Sequence, residues 1–461
     1  MSLLIHNRIY SSLHFTGILG AGMSALAQYV RWMGCDVSGS DRALGKEETE
    51  DISEYLTSIG CRLFSQDGSG IDEKCSGIVI SSAIEENNPE ILRARQLNVP
   101  VYHRSDVLAA IIQTKKAVAV AGTSGKSTVT AMIFHLLQSC GQNPSLITGA
   151  GLNSLQKLGM PGNAFYGEGH WLVVEADESD GSLIKYHPYI ALVLNVSKDH
   201  KTIQETLQLF STLADQSEIV LKNSDDPLLD SIDATYCFGQ SPVADYTVES
   251  LESTAQQSAF SYRGTSFSTP MPGRHNAINL FAAVVASLLC GCSPECLRDA
   301  AKKFPGLHRR FTITQAAHGI TIIDDYAHNA EKIRAAVTAA QALSPRVFVL
   351  FQPHGFGPMR FMREELAAMF RQTLRENDSL YLLPIYYAGG NVMRDISSAD
   401  LASDLQESSF AVHAPSSREK AVEAILRQVR PKEVILSMGA RDPSLDAFAQ
   451  WIARQVEEIS L

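Results

Sequence analysis

The residues best suited to chemistry close the run KKAVAVAGTSGKSTVTAMIFHLL, Lys115 to Leu137. An apolar, β-branched stretch gives way to Gly122, Thr123, Ser124, Gly125, Lys126, Ser127 and Thr128, after which a helical pattern continues to Leu137. Glycines let backbone amides converge on an anion, and the start of a helix already favours negative charge. A lysine at this point reaches the terminal phosphates of a nucleotide, and the hydroxyl after it suits Mg²⁺. The first glycine of the full phosphate-loop pattern is absent, its place taken by Val120.

Acids stand where such a loop needs them. WLVVEADESD ends in Glu175, Asp177, Glu178 and Asp180, and ALVLNVSKDH ends in Asn195, Asp199 and His200. Ligands of doubly wound sheets gather at the carboxyl ends of strands. Oxygen ligands suit Mg²⁺, so Ser127 and Glu175 are the expected metal residues, with His200 a softer addition.

Near the start, GILGAGMSALAQYV places Gly17, Gly20 and Gly22 in the order GxxGxG. Leu19 occupies the middle-glycine position of the dinucleotide fingerprint, which weakens a nicotinamide reading. Asp41 follows at about the distance where an acid takes ribose hydroxyls. The turn is read as a nucleotide diphosphate site built from Gly20, Ala21, Gly22, Met23, Ser24 and Asp41, with Ser82 and Arg104 on the same substrate side. A third group comprises Arg309, Arg310, Asp324, Asp325, His328 and His354. Arginine forks hold phosphate oxygens, and a strand-end aspartate accepts from a ribose.

Alternating strand and helix patterns position these residues. LHFTGILG, CDVSGSD, SGIVISSAI and VPVYH read as strands with helices between them, implying a parallel wound sheet. AVAVAG, HWLVVEADES and YIALVLNVS form a second unit, and 219–267 reads as more β-rich and irregular. GRHNAINLFAAVVASLLCG reads as an amphipathic helix. GITIIDDYAHN, RVFVLFQPH, SLYLLPIY and EVILSMGA open a third unit. The expected fold is therefore α/β in three domains, 1–114, 115–305 and 306–461, each built on a wound sheet.

A chain of 461 residues accommodates that division. Its 45% hydrophobic and 19% charged residues are those of a globular protein, and a net charge of -11 argues against a nucleic-acid partner. The longest apolar run, around Phe281 to Cys290, is too short to span a bilayer, and the N-terminus lacks a signal-peptide core, so a cytoplasmic location is expected. Eight cysteines without CxxC spacing read as free thiols. Those at Cys290, Cys292 and Cys296 read as partly buried thiols rather than a metal site.

Taken in order, GILGAGMSALAQYV, VSGSD, VISSAIEENNPE, AGTSGKST, VVEADESDGS, GRHNAINLFAA, HRRF and IDDYAHN resemble the Mur ligases across about Phe15 to Gly439. Within that family they are most similar to the members that add L-alanine to UDP-N-acetylmuramate. The shortened GTxGK[ST] loop is the form this family uses. The resemblance implies a Rossmann-like UDP-binding domain, a central phosphate-loop ATPase-like domain built on a parallel sheet, and a C-terminal Rossmann-like domain that closes over the site. The chemistry implied is carboxylate activation by ATP and Mg²⁺ to an acyl phosphate, followed by attack of an amine. By matching motif, Lys126 holds phosphates, and Ser127, Glu175 and His200 serve Mg²⁺. His275 and Asn279 face adenine, Arg310 faces the γ-phosphate, and Asp324 or Asp325 faces the ATP ribose. The implied partners are a UDP-N-acetylmuramate-type nucleotide sugar and an amino acid or peptide, in a monomer or homodimer.

Three departures fall on the acceptor side. Thr202 replaces the second acid of DHxD, Asn329 and Ala330 replace HP, and Gly355 and Pro358 stand where arginines would hold substrate carboxylates, leaving Arg360 as a substitute. Alternatives are a murein-peptide recycling ligase, a nicotinamide-dependent oxidoreductase, and a non-catalytic sensor of nucleotide sugar or ATP.

Overall fold

Runs of valine, isoleucine and small apolar residues build three largely parallel sheets, each interrupted at its strand ends by glycine or acidic loops. The computed structural model describes residues 3–198, 201–254, 256–387 and 393–458. His200, expected as a metal residue, and Asp199 lie outside the described residues.

The first sheet has strands β1 (Ser12–Thr16), β2 (Asp36–Ser40), β3 (Arg62–Phe64), β4 (Ile78–Ile80) and β5 (Val101–His103), in the order β3-β2-β1-β4-β5. All are parallel, and the direction of winding reverses between β1 and β4, where α/β sheets open a ligand crevice. Gly39 is required in β2, because a Cβ there would lie 2.6 Å from both Ile18 and the Phe15 carbonyl.

A buried polar network holds this sheet to the helix Pro89–Gln96. His14 Nε2 lies 3.2 Å from Glu90 Oε1, Thr16 donates to Glu90 Oε2 at 2.6 Å, and His14 Nδ1 meets the Ser38 hydroxyl at 2.9 Å. Neither His14 nor Glu90 reaches solvent. Burial alone would raise the Glu90 pKa, but the hydrogen bonds and charge of His14, with Ser40 and Thr16, hold it below the ordinary carboxylate value. A carboxyl lowered in the folded state stabilises above its unfolded pKa and loses that contribution as pH falls through the folded value. Glu90→Gln should therefore cost about 1–3 kcal/mol at neutral pH. In thermal denaturation the difference from the parent protein should narrow on acidification below the ordinary glutamate pKa; a pH-independent difference would contradict the charged assignment.

The central sheet comprises β6 (Lys116–Ala121), β7 (Ser145–Ile147), β8 (Ala164–Phe165), β9 (Trp171–Glu175), β10 (Ile190–Val193), β11 (Ile219–Asn223), β12 (Tyr236–Gly239) and β13 (Tyr246–Thr247). Their order is β8-β7-β9-β6-β10-β11-β12-β13, with only β8 antiparallel. β6 thus lies between the strand that ends in Glu175 and the strand that leads to Asn195. The segment read as irregular supplies β11 to β13 and the strands Ser258–Tyr262 and Thr265–Thr269, whose Phe260 and Phe267 stack at 4.9 Å.

The helix Arg274–Leu289 differs from its amphipathic reading, since Leu280 through Ser287 are all buried. Small side chains let it pass through the interior rather than along a surface. The cysteine expectation is also corrected at one pair. Cys140 and Cys296 form a disulfide, bringing the end of the helix Lys126–Ser139 to the helix Pro294–Ala301, while Cys290 and Cys292 are buried thiols as expected. These partners are 156 residues apart, so no local spacing announces the pairing.

The third sheet runs β14-β15-β19-β16-β17-β18, where β14 is Thr312–Gln315, β15 Thr321–Asp325, β16 Val347–Gln352, β17 Ser379–Leu382, β18 Ala411–His413 and β19 Val434–Gly439. Only β14 is antiparallel. This sheet forms a separate compact unit, 308–461 with short pieces at 253–258 and 271–275, whereas the first two sheets share the other. Among the described residues no helix is long and apolar enough to cross a membrane.

Candidate active site

The loop after β6, expected to cradle phosphate, turns through two left-handed glycines. Gly122 has φ +141°, and Gly125 has φ +85° as N-cap of the helix Lys126–Ser139. A Cβ on Gly125 would sit 2.7 Å from Asn279 Oδ1, so both conformation and space require glycine there. The helix starts two residues earlier than the pattern Thr128 to Leu137 suggested. The Lys126, Ser127 and Thr128 amides therefore occupy its first turn, without intrahelical acceptors.

Thr123 and Ser124 serve differently. Their backbone amides donate to Asn195, Thr123 to the carbonyl at 3.2 Å and Ser124 to the side-chain oxygen at 2.9 Å. The anion-facing part of the loop is thus shorter than the whole run Gly122 to Thr128.

Lys126 reaches back across the cradle. Its ammonium donates to the Gly122 carbonyl at 2.8 Å and to Glu178 Oε2 at 2.7 Å, and lies 3.7 Å from Asp177. Burial alone would lower its pKa, but Glu178, Asp177 and Glu175 outweigh that and raise it, so the ammonium stays charged. Glu175 Oε1 accepts from the Ser127 hydroxyl at 2.8 Å, and Oε2 accepts from the Thr148 hydroxyl and the Gly149 amide, each at 2.8 Å. Thr148 and Gly149 were not among the expected site residues and join Glu178 and Asn195, which the sequence places at strand ends without assigning them a role. They lie on three different strand ends, and only the sheet order brings them together.

The pair Ser127 and Glu175 offers hard oxygen donors beside a phosphate cradle, a set that fits Mg²⁺ with phosphate and water completing its coordination. Among the described residues there is no cluster of three or more His, Cys, Asp or Glu side chains arranged for a metal.

On the first sheet, Gly17 has φ +79° and Gly20 caps the helix Ala21–Trp32. Both Asp41 oxygens clip the turn, accepting from the Leu19 amide at 3.0 Å and the Ala43 amide at 2.9 Å. Met23 and Ser24 are buried, and Ser24 joins Asn163 of the central sheet's loops. Ser82 bonds His103 at 3.1 Å. Arg104 donates to Asp180 at 2.6 Å, and Gly22 leaves room for it, since a Cβ there would meet the guanidinium at 3.3 Å. A cavity of about 190 Å³ runs between these features, lined by Gly22, Leu26, Arg104, Thr148, Gly149, Glu175 and Asp177. The expected nucleotide turn and the acids at the end of β9 thus open onto one space.

In the C-terminal unit, Arg310 is flanked by two non-glycine residues in left-handed backbone, Arg309 (φ +54°) and Phe311 (φ +53°). Its guanidinium lies over Tyr326 at 4.8 Å. Buried Arg309 holds both oxygens of Asp324, at 3.0 and 3.3 Å, while Asp325 accepts from the Phe311 and Ala327 amides. Burial pushes Asp324 up to about 6 and raises Asp325. The two acids expected at a ribose thus shape the arginine loop in this state. His328 and His354 meet edge to face at 5.0 Å. Arg360, expected to replace the missing arginines, is paired with Asp395. His275 is half-buried, and burial lowers its imidazole to about 4, which leaves it neutral. Asn276, buried and 3.4 Å from the Asn279 amide nitrogen, extends the expected pair of helix residues.

The departures have local explanations. Thr202 and Glu205 form a capping box that starts the helix Ile203–Asp215, and Asn329 caps Ala330–Gln341 by accepting from the Lys332 amide. Gly355 and Pro358 begin Phe356–Thr373, in a first turn that needs no proline N–H.

Three descriptions match along the chain: "Mur ligase family, catalytic domain" at 12–116, "Mur ligase middle domain" at 120–287, and "Mur ligase, glutamate ligase domain" at 309–441. The chain belongs to the Mur ligase family. It is 33% identical to the UDP-N-acetylmuramate--L-alanine ligase of Anaeromyxobacter dehalogenans over 450 residues, covering 94% of this chain and 95% of that one. The structure of the UDP-N-acetylmuramate-alanine ligase of Thermotoga maritima is similar with TM-score 0.79 at 24% identity, covering 96% of this chain and 98% of that one. A murein peptide ligase from Psychrobacter arcticus is similar with TM-score 0.68 at 19% identity, covering 98% and 100%. Those two likenesses concern the fold. This Mur ligase has the α/β architecture expected of it, and family membership sets aside the nicotinamide oxidoreductase reading.

Proposed function

We propose that this Mur ligase joins L-alanine to the lactyl carboxylate of UDP-N-acetylmuramate with ATP and Mg²⁺. The curated relative, similar over nearly its whole length, carries that activity in its name. The observation that carries the reading is the Ser127–Glu175 hydrogen bond beside Lys126, with Glu175 also lining the cavity that Gly22 borders.

A carboxylate oxygen of the nucleotide sugar attacks the γ-phosphorus of ATP, ADP leaves, and an acyl phosphate forms. The amine then attacks the acyl carbon, inorganic phosphate departs, and the amine's surplus proton passes to solvent. Lys126 and the first-turn amides offset the charge gathered when a carboxylate approaches a polyanion. Ser127 and Glu175 would hold Mg²⁺, which would supply Lewis-acid stabilisation of the phosphoryl oxygens. Arg310 is the cation for the transferred phosphoryl group, and His275 and Asn279 meet the adenine. The proposal includes three domains bounded near Thr114 and Pro305, a cytoplasmic location, and a monomer or homodimer.

A second reading, a peptide as the acceptor, draws on Gly355 and Pro358 and on the pairing of Arg360 with Asp395. ADP release measured while L-alanine or a preformed peptide is titrated separates the two. Alanine should saturate turnover; stimulation by peptide alone would replace the first reading with the second.

A further inference from the structure

We propose that Asn195 is the positioning residue of the phosphate loop, setting which of its amides face the nucleotide. β10 delivers Asn195 beside the loop that leaves β6, and one side chain there satisfies three separate loop groups. Its Oδ1 accepts from the Ser124 amide at 2.9 Å and the Thr123 hydroxyl at 3.1 Å, while its Nδ2 donates to the Ser124 carbonyl at 3.0 Å. The Asn195 carbonyl takes the Thr123 amide, and the Ser197 hydroxyl meets Thr123 Oγ1 at 2.9 Å.

An amide side chain carries its acceptor and its donor on separate atoms, so it can accept on one side and donate on the other. Its effect is to fix the Thr123–Ser124 peptide plane. With that plane fixed, Gly125 turns left-handed and the amides of Lys126, Ser127 and Thr128 present themselves to an anion. The Thr123 amide, held by the Asn195 backbone carbonyl, shares a peptide with the Gly122 carbonyl, which receives the Lys126 ammonium. Asn195 acts through these groups and is itself committed to the loop, so it aids nucleotide binding by organising the cradle beforehand.

The inference rests on reading the loop as a nucleotide site, and MgADP titration of the unmodified full-length enzyme tests that separately; no binding there would overturn both. Given binding, Asn195→Ala should weaken MgADP about tenfold, in line with the loss of loop hydrogen bonds. Asn195→Asp preserves shape and the accepting oxygen but places an anionic oxygen against the Ser124 carbonyl, near the phosphates. It should weaken MgADP more than alanine does. Both variants should leave the KM of the nucleotide sugar within about twofold, a split that general loosening of the sheet would not produce. Should Asn195→Ala fail to fold, the near-isosteric aspartate variant decides alone. MgADP affinity within twofold of the parent in the variants that fold, or equal losses for MgADP and the nucleotide sugar, would overturn the assignment.

Discussion

Replacing Lys126 with alanine should lower turnover about a thousandfold or more while the fold persists. The ammonium spans the cradle, held by Glu178 at 2.7 Å and the Gly122 carbonyl at 2.8 Å, and its side chain is 12% exposed. A cation so fixed needs little reorganisation when charge develops on the transferred phosphoryl group, so its removal acts on the transition state more than on the ground state. The change strands Glu178, whose side chain is 4% exposed. Burial already pushes the Glu178 carboxyl above its ordinary value, and without Lys126 it meets the loss by taking up a proton instead of unfolding the loop. ADP release and circular dichroism on the same preparation check both halves. Turnover above a tenth of the parent's, with the spectrum unchanged, would remove Lys126 from the chemistry.

Glu175→Gln should lower turnover by about two orders of magnitude, with the deficit eased by raised Mg²⁺. The glutamine keeps the shape and an oxygen for Thr148 or Ser127 but loses the charge that pairs with a divalent cation. Its single N–H₂ must also face groups that now donate to Glu175, either the Ser127 hydroxyl or the Thr148 hydroxyl and Gly149 amide. A titration of rate against Mg²⁺ should show a higher half-saturation for the variant, with the KM of the amino acid little changed. An unaltered Mg²⁺ requirement would assign Glu175 to loop support alone.

The chemistry of this Mur ligase was legible in the sequence where it depends on neighbours along the chain. The residues Gly122 to Ser127 announce a phosphate loop because turn, amides, lysine and hydroxyl are consecutive, and the acids after WLVV announce themselves because a strand must end before them. The helix Arg274–Leu289 was legible as a helix but not as a buried one, since alanine-rich periodicity does not say how many of its faces are covered. The disulfide between Cys140 and Cys296 was not legible, because two distant cysteines carry no pairing signal.

What the sequence determined by itself was the kind of site and the elements that carry it. The tertiary structure alone decided which partners each group keeps: Lys126 with Glu178, Ser127 with Glu175, the loop with Asn195, and Asp324 with Arg309. The physical reason is that hydrogen bonds and ion pairs act over about 3 Å. Parallel strands far apart in the chain come within that reach only once the sheet has set their order.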